Sequence, residues 1–201
     1  MNTIDTLAYV VIGIMIGVSI FIYLSNIEGF GELKCIISTV DGNTYCVRDR
    51  TKLNEAADLL ATVTDKCKQL VRYMQDNHGE KDSVKRLVAG FNPKKVMETL
   101  PTSTLTAYSE NKGEKVAFCL NKKKEDDNVL IDEHTLTFVA IHELSHISTK
   151  SIGHKSEFWE NFQFLLKCAK DAGIHDPTNY KKTPKEYCGM TITDNPYYDM
   201  N

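Results

Sequence analysis

The sequence has no excess of basic residues and no dense run of them. It contains 24 lysines and arginines against 27 aspartates and glutamates, so the formal net charge of its 201 residues is −3. Proteins that bind nucleic acid usually present a basic patch or stripe that neutralises phosphates. The composition therefore argues against binding to DNA or RNA. Internal repeats and low-complexity segments are absent from the sequence as well.

The six cysteines lack the C-x-x-C spacing that is typical of thiolate metal sites. Their even number is compatible with disulfides if the domain lies in an oxidising compartment. Cys35 and Cys46 flank a predicted turn, so a bridge between them would cross a hairpin. Cys67 and Cys168 lie among apolar residues at helical spacing, which is typical of buried free thiols.

Charge is absent from residues 7–24, an apolar run of 18 residues. As a helix this run would be about 27 Å long, close to the thickness of the hydrocarbon core of a bilayer. We therefore predict an N-terminal transmembrane anchor over residues 1–26 and a single-pass membrane protein. A cleaved signal peptide is the alternative, but a basic n-region and a clean small-x-small cleavage site are both missing.

Few charges flank the predicted anchor, so the side of the membrane on which the remaining domain lies is left open. Within the run, Gly13 and Gly17 form a GxxxG pattern that would let two such helices approach closely. This predicts a weak homodimer, although small residues are common in any apolar helix.

An HExxH motif occupies residues 142–146. Positions i and i+4 of a helix lie on one face, so the imidazoles of His142 and His146 can reach the same metal ion. Glu143 then lies beside that metal, where its carboxylate can take a proton from activated water. Asp132 is suited to N-cap this helix, and the apolar residues around the motif predict that it is buried. Ionisable groups are costly to bury alone, which favours a catalytic zinc site over a chance match.

A catalytic zinc site needs three protein ligands and one open position. His154 is the first candidate for the third ligand, because Gly153 can adopt the backbone angles that end one helix and turn the chain back. Residues 156–172 have apolar residues at helical spacing, which predicts a second helix directly after His154. Glu157 and Glu160 on that helix are the competing ligands.

The HELSH pentad at 142–146, followed by His154 and then by Phe158 and Trp159, resembles the WLM, SprT-like and YgjP-like group of zinc metallopeptidases. The resemblance covers roughly residues 115–172 and depends on the combination of HExxH with HxxxFW. It implies a compact zincin-like fold, a zinc cofactor and a protein or peptide substrate.

Carried over residue by residue, the resemblance implies that Glu143 is the general base and that the zinc ligands are His142, His146 and His154. The group also has an edge strand upstream of the zinc helix, along which an extended substrate can lie. Residues 114–120 alternate in the manner of such a strand, although an ordinary core strand fits them equally well.

The other patterns predict an α+β domain over residues 27–201, with its zinc site within 132–172 and a small antiparallel sheet. Helical and strand patterns do not alternate regularly, which is typical of this fold class. A hairpin is predicted from strands at 33–37 and 44–47. Two helices are predicted at 53–75 and 83–91, and a second pair of strands at 104–108 and 114–120.

The tail over residues 174–201 has no clear periodicity but is rich in tyrosine. Tyr180 or Tyr187 could donate a hydrogen bond to the oxyanion of a tetrahedral intermediate, although aromatic packing over the domain is the simpler interpretation. The histidines outside the motif are predicted to be surface or packing residues; they are His78, His134 and His175.

Together these features predict a membrane-anchored zinc metallopeptidase with Glu143 as general base. One alternative is a zincin-fold membrane or structural protein without turnover, since the chain also resembles zincin-like domains in membrane proteins of large DNA viruses. Another is a protease of DNA-crosslinked proteins, a function that the resemblance to SprT-like and WLM proteins implies and the net charge argues against.

Overall fold

The computed structural model of this protein describes residues 11–22, 33–123 and 129–199. Residues 11–22 are helical and are named α1 here. The later helices are α2 (Leu53–His78), α3 (Asp82–Gly90), α4 (Glu133–Ser148) and α5 (Ser156–Asp171). The strands are β1 (Leu33–Ile37), β2 (Thr44–Arg48), β3 (Val96–Glu98), β4 (Ala107–Glu110), β5 (Lys115–Phe118), β6 (Lys185–Tyr187) and β7 (Met190–Ile192).

The prediction of a membrane anchor over residues 7–24 is wrong. Within the residues that the structure describes, no helix is both long enough and apolar enough to cross a bilayer. α1 as described is about 18 Å long, whereas a span of the hydrocarbon core takes about 20 residues and 30 Å. The single-pass membrane assignment rested on this segment and is wrong with it.

Part of that segment, residues 7–10 and 23–24, lies outside the described residues, as does the predicted domain boundary at residue 26. That boundary and the pairing of two copies through Gly13 and Gly17 stay predictions.

The three-stranded sheet is mixed rather than antiparallel as predicted. Its order is β3-β5-β4, with β3 parallel and β4 antiparallel to β5. β5 is therefore the central strand, and its residues Val116, Ala117 and Phe118 are all buried. This corrects the expectation that residues 114–120 form the edge strand, because the edge nearest the HExxH helix is β4.

α4 is the central helix of the domain and contacts α2, α3 and α5. Twelve of its residues are buried, so it is enclosed on nearly every side by neighbouring elements. Its first turn is closed by the Asp132 side chain, which accepts a hydrogen bond from the backbone N–H of Thr135 at 2.9 Å. The predicted N-cap is confirmed.

A disulfide crosses the β1–β2 hairpin, which the sequence leaves open; Cys35 and Cys46 are directly opposite in the register and are bonded. Cys67 and Cys168 are buried free thiols, as predicted. The α+β class is confirmed, with its core between the helices and the small sheets.

A buried ionic cluster attaches the β1–β2 hairpin to the three-stranded sheet. The Glu98 carboxylate on β3 accepts a hydrogen bond from the backbone N–H of Arg48 at 2.8 Å and lies 3.4 Å from the Arg48 Nε. The Arg50 guanidinium forms a second ion pair with the same carboxylate. All three side chains are almost fully shielded from solvent.

Candidate metal centre

The three predicted ligands meet beside the C-terminal half of α4. His142 and His146 lie one turn apart on that helix, and His154 approaches from the segment between α4 and α5. One ring nitrogen from each lies within 4.8 Å of the other two. The Nε2 atoms of His142 and His154 are 3.0 Å apart. Gly153, with φ of +79°, makes the turn that brings His154 back toward the helix.

Phe158 on α5 is the platform against which all three imidazoles pack. Its ring centroid lies 4.9, 4.3 and 4.6 Å from those of His142, His146 and His154 respectively. The ring is fully buried between α4 and α5. Trp159 follows at the rim, where its Nε1–H donates to the carbonyl of His154 at 3.2 Å. The Phe-Trp pair of the motif therefore holds the histidines in position.

Burial keeps two of these imidazoles neutral. Burial, with smaller contributions in the same direction from neighbouring charged groups, lowers the pKa of His142 to about 3 and that of His146 to about 4. A neutral imidazole is the form that ligates a metal ion. Three nitrogen donors of this kind form the ligand set of known catalytic zinc sites, so the residues present fit zinc.

Glu143 points to the same side of α4 and is only 4% exposed. Burial raises the pKa of its carboxyl to about 7, while hydrogen bonds from the side chain and backbone of Ser109 act in the opposite direction. Ser109 belongs to the edge strand β4. A carboxyl that titrates near neutrality is suited to take up and return a proton.

Neither competing glutamate belongs to the histidine group. The Glu157 carboxylate instead accepts hydrogen bonds from the backbone N–H groups of Lys150 at 3.0 Å and Ser151 at 3.1 Å. Glu160 is an exposed residue of α5. The geometry thus favours His154 over both as the third ligand.

A cavity of about 1160 Å³ lies over the histidines and Glu143. β4 forms one wall, the segment around Gly153 and Trp159 forms a second, and the chain from Tyr187 to Asp199 forms a third. An extended peptide could therefore lie along the β4 edge and pass directly over the cluster.

The third wall was missed from the sequence, because β6 and β7 have three residues each and show no periodicity. A disulfide between Cys119 and Cys188 ties this hairpin to the end of β5. Tyr187 is buried beside it, and its hydroxyl donates to the carbonyl of Thr106 at 3.0 Å. The tyrosines and Cys188 were the only signals of this wall in the sequence.

The two tyrosines named from the sequence have different surroundings. Tyr187 and Glu143 both line the cavity. Burial, and to a smaller extent the negative charge of Glu143, raises the pKa of the Tyr187 hydroxyl. Tyr180 does not line the cavity and packs its ring 4.9 Å from that of Phe138. An oxyanion role for Tyr187 stays a prediction.

The three other histidines are packing residues, as predicted. The ring of His78 lies 5.0 Å from that of Phe164, and the rings of His134 and His175 are stacked 4.3 Å apart.

No family model matches the sequence. The chain is similar to Uncharacterized protein R325 of Acanthamoeba polyphaga mimivirus, with 26% identity over 192 residues, covering 92% of this chain and 96% of that protein. It is also similar to Uncharacterized protein 136R of Invertebrate iridescent virus 6, with 33% identity over 82 residues, 41% of this chain and 44% of the relative. Uncharacterized protein 042R of Invertebrate iridescent virus 3 is 41% identical over 59 residues, 29% of this chain and 36% of the relative.

Among solved structures, the chain is similar to a mutant of Wss1 from S. pombe, with 24% identity, covering 52% of this chain and 86% of the other. The TM-score is 0.34, which is too low to bear on function.

Proposed function

We propose that this protein is a zinc-dependent metallopeptidase, with His142, His146 and His154 as zinc ligands and Glu143 as general base. The observation that carries this proposal is the convergence of three imidazoles next to a buried carboxyl, at the floor of an open cavity. Nitrogen-only ligation by three histidines leaves a fourth position for the reaction, which distinguishes catalytic from structural zinc sites.

Zinc at such a site supplies a Lewis acid that makes water acidic near neutral pH and polarises a carbonyl group. The Glu143 carboxylate accepts the proton of the attacking water and returns it to the departing amine nitrogen. The position of this carboxyl, next to His142 on α4 and lining the same cavity as the three histidines, supports both steps. Ser109 orients the carboxylate through its two hydrogen bonds.

The shape of the cavity supports a peptide as substrate. β4 is the edge strand beside α4, and no strand among the described residues pairs with its outer side. An extended chain can add there by main-chain hydrogen bonds, except at the Ser109 N–H, which is bonded to Glu143. Exposed apolar side chains stand around the opening, so we expect substrate segments with large apolar residues. These rim residues are Leu105, Ile152, Trp159 and Met190.

The test is Glu143→Gln in the full chain, with Glu160→Gln as the matched control on an exposed site. We expect zinc content to stay at that of the unmodified protein in both variants. Cleavage of a broad peptide library should fall by at least 100-fold in Glu143→Gln, since general-base catalysis contributes about 10²–10⁴-fold. Glu160→Gln should cleave normally. Undiminished cleavage by a pure Glu143→Gln preparation would show that the mechanism is wrong.

Zinc content itself tests the ligands, because loss of one histidine removes a third of the protein donors. His154→Ala should bind zinc less tightly, and full occupancy in that variant would exclude His154. A zinc-loaded protein that cleaves no peptide would favour the zincin without turnover. Cleavage that DNA stimulates would favour the crosslink protease instead.

A further inference from the structure

The third histidine lies on a segment without regular secondary structure. Residues 149–155 leave α4, pass through the exposed Ile152 and Gly153, and reach His154 eight residues after His146. A ligand on such a segment is in the correct place only if the backbone around it is held. Besides the Trp159 bond to the His154 carbonyl, two charged side chains on other elements make most of the hydrogen bonds to this backbone.

Lys112 binds the carbonyl groups at the end of α4 and in the segment that follows. Its ammonium group donates hydrogen bonds to the carbonyl oxygens of His146 at 3.1 Å, Thr149 at 2.7 Å and Ser151 at 3.0 Å. All three N–H donors of the lysine are therefore used. These carbonyls lie at and beyond the C-terminus of α4, where unpaired carbonyls and the helix dipole favour a positive charge.

Glu157 binds the backbone amides of the same segment: its carboxylate accepts the two hydrogen bonds from the N–H groups of Lys150 and Ser151 described above. These bonds, together with the nearby Arg86 charge, lower the pKa of Glu157 to about 2, so the carboxylate is ionised at neutral pH. Arg86 on α3 lies 3.3 Å from this carboxylate and also donates to the carbonyl of Ser148 at 2.8 Å.

The backbone that carries Lys112 is itself fixed against the helices. Gly90 at the end of α3 and Gly113 are in such close contact that a Cβ on Gly113 would lie 2.5 Å from the Gly90 carbonyl oxygen. A Cβ on Gly90 would lie 2.4 Å from the carbonyl oxygen of Lys112. The β4–β5 turn therefore has little room to shift relative to α3 and α4.

We infer that Lys112 and Glu157 form a clamp that positions His154 for metal binding. Lys112 secures carbonyls and Glu157 secures amides on the same short stretch, so the turn before His154 is held from both sides. Both are positioning residues, since neither belongs to the histidine group. The inference rests on the proposed zinc site, and it explains how a ligand eight residues beyond His146, on a segment without regular secondary structure, is held in place.

The test compares Lys112→Met with Lys85→Met in the full chain. Lys85 is an exposed residue of α3 that pairs only weakly with Asp82, so its replacement removes the same charge without touching the segment. We expect the Kd for zinc, measured by chelator competition, to rise about 10-fold in Lys112→Met, as for other groups that orient metal ligands. Lys112→Arg, which keeps donors for the carbonyls, should recover most of the affinity. Lys85→Met should bind zinc normally.

Hydrogen exchange in the metal-free protein tests the clamp independently of zinc binding. The amides of Lys150 and Ser151 should exchange at least 10-fold faster in Lys112→Met and in Glu157→Ala than in the unmodified chain or in Lys85→Met. If exchange and zinc affinity are both unchanged in these variants, the clamp does not exist. If the unmodified protein binds no zinc although its exchange shows the clamp, the proposed function fails and the clamp stands.

Discussion

His175 differs from the clustered histidines in that no function accounts for its burial. Its ring is 3% exposed, stacked on His134 and close to Phe138, and neither ring nitrogen has a hydrogen-bond partner among the described residues. Burial, reinforced by His134 and Lys66 and opposed by Asp176, lowers the pKa of His175 to about 3. The imidazole is therefore neutral in the folded protein throughout the physiological range.

This burial should make the fold sensitive to acid. Below pH 6.5 the unfolded chain protonates His175 and the folded chain does not, so stability falls as the pH falls from about 6.5 toward 3. The loss from this residue alone reaches roughly 4 kcal/mol at the lower end. His175→Phe should reduce the loss of unfolding free energy, measured by urea denaturation, between pH 6.5 and pH 4 relative to the unmodified protein. The same loss in the variant and in the unmodified protein would contradict the prediction.

Single residues with a distinctive chemistry were the most predictable part of the site. The helical spacing of His142 and His146 and the turn at Gly153 follow from local rules, and the structure places His154 beside them. The sequence could not decide between Tyr180 and Tyr187. Their surroundings depend on how a tail without periodicity folds back, which is a matter of distant contacts.

The contact between β2 and β3 includes buried ion pairs as well as apolar packing. Glu98 is enclosed with Arg48 and Arg50, and burial raises the pKa of its carboxyl although both guanidinium groups act to lower it. Such a cluster contributes little net stability when complete, but removal of one partner leaves a buried charge without compensation.

Glu98→Gln should therefore destabilise the fold by about 3–5 kcal/mol. The replacement keeps the size of the side chain but leaves the two buried guanidinium groups without their carboxylate. Glu55→Gln, on the exposed side of α2, should change stability by less than about 0.5 kcal/mol. Chemical denaturation of both variants measures the difference, and a similar small effect at the two sites would refute this account.

Elements with a strong local pattern were predicted well, and those defined by pairing were not. The long apolar repeat of α2, the buried motif helix α4 and the β1–β2 hairpin match the sequence predictions closely. β3 has only three residues, and its parallel pairing with β5 joins segments that are distant in the chain. For that reason the sequence could not show that β4, and not β5, lies at the edge.

Considered as a whole, the molecule closes its cavity with parts of the chain that are far apart. The Cys119–Cys188 disulfide spans 69 residues and connects the central sheet to the C-terminal wall. The Cys35–Cys46 disulfide spans 11 residues within one hairpin. Because a longer loop loses more entropy on closure, the first bridge should stabilise the protein more than the second.

Paired alanine variants test this difference. The loop-closure relation predicts a loss of about 4 kcal/mol for Cys119→Ala with Cys188→Ala, and about 3 kcal/mol for Cys35→Ala with Cys46→Ala. Urea denaturation under oxidising conditions measures both. The first pair should also weaken peptide binding, because the third wall of the cavity is released. A larger loss from the hairpin pair would contradict this view of the fold.

Trp159 is the only tryptophan in the chain. Its indole is bonded to the carbonyl of His154 and lies half-exposed at the mouth of the cavity. All tryptophan emission from this protein therefore arises at one place, next to the third ligand. A simple fluorescence titration of the unlabelled protein will report metal loading and peptide entry directly, without any engineered probe.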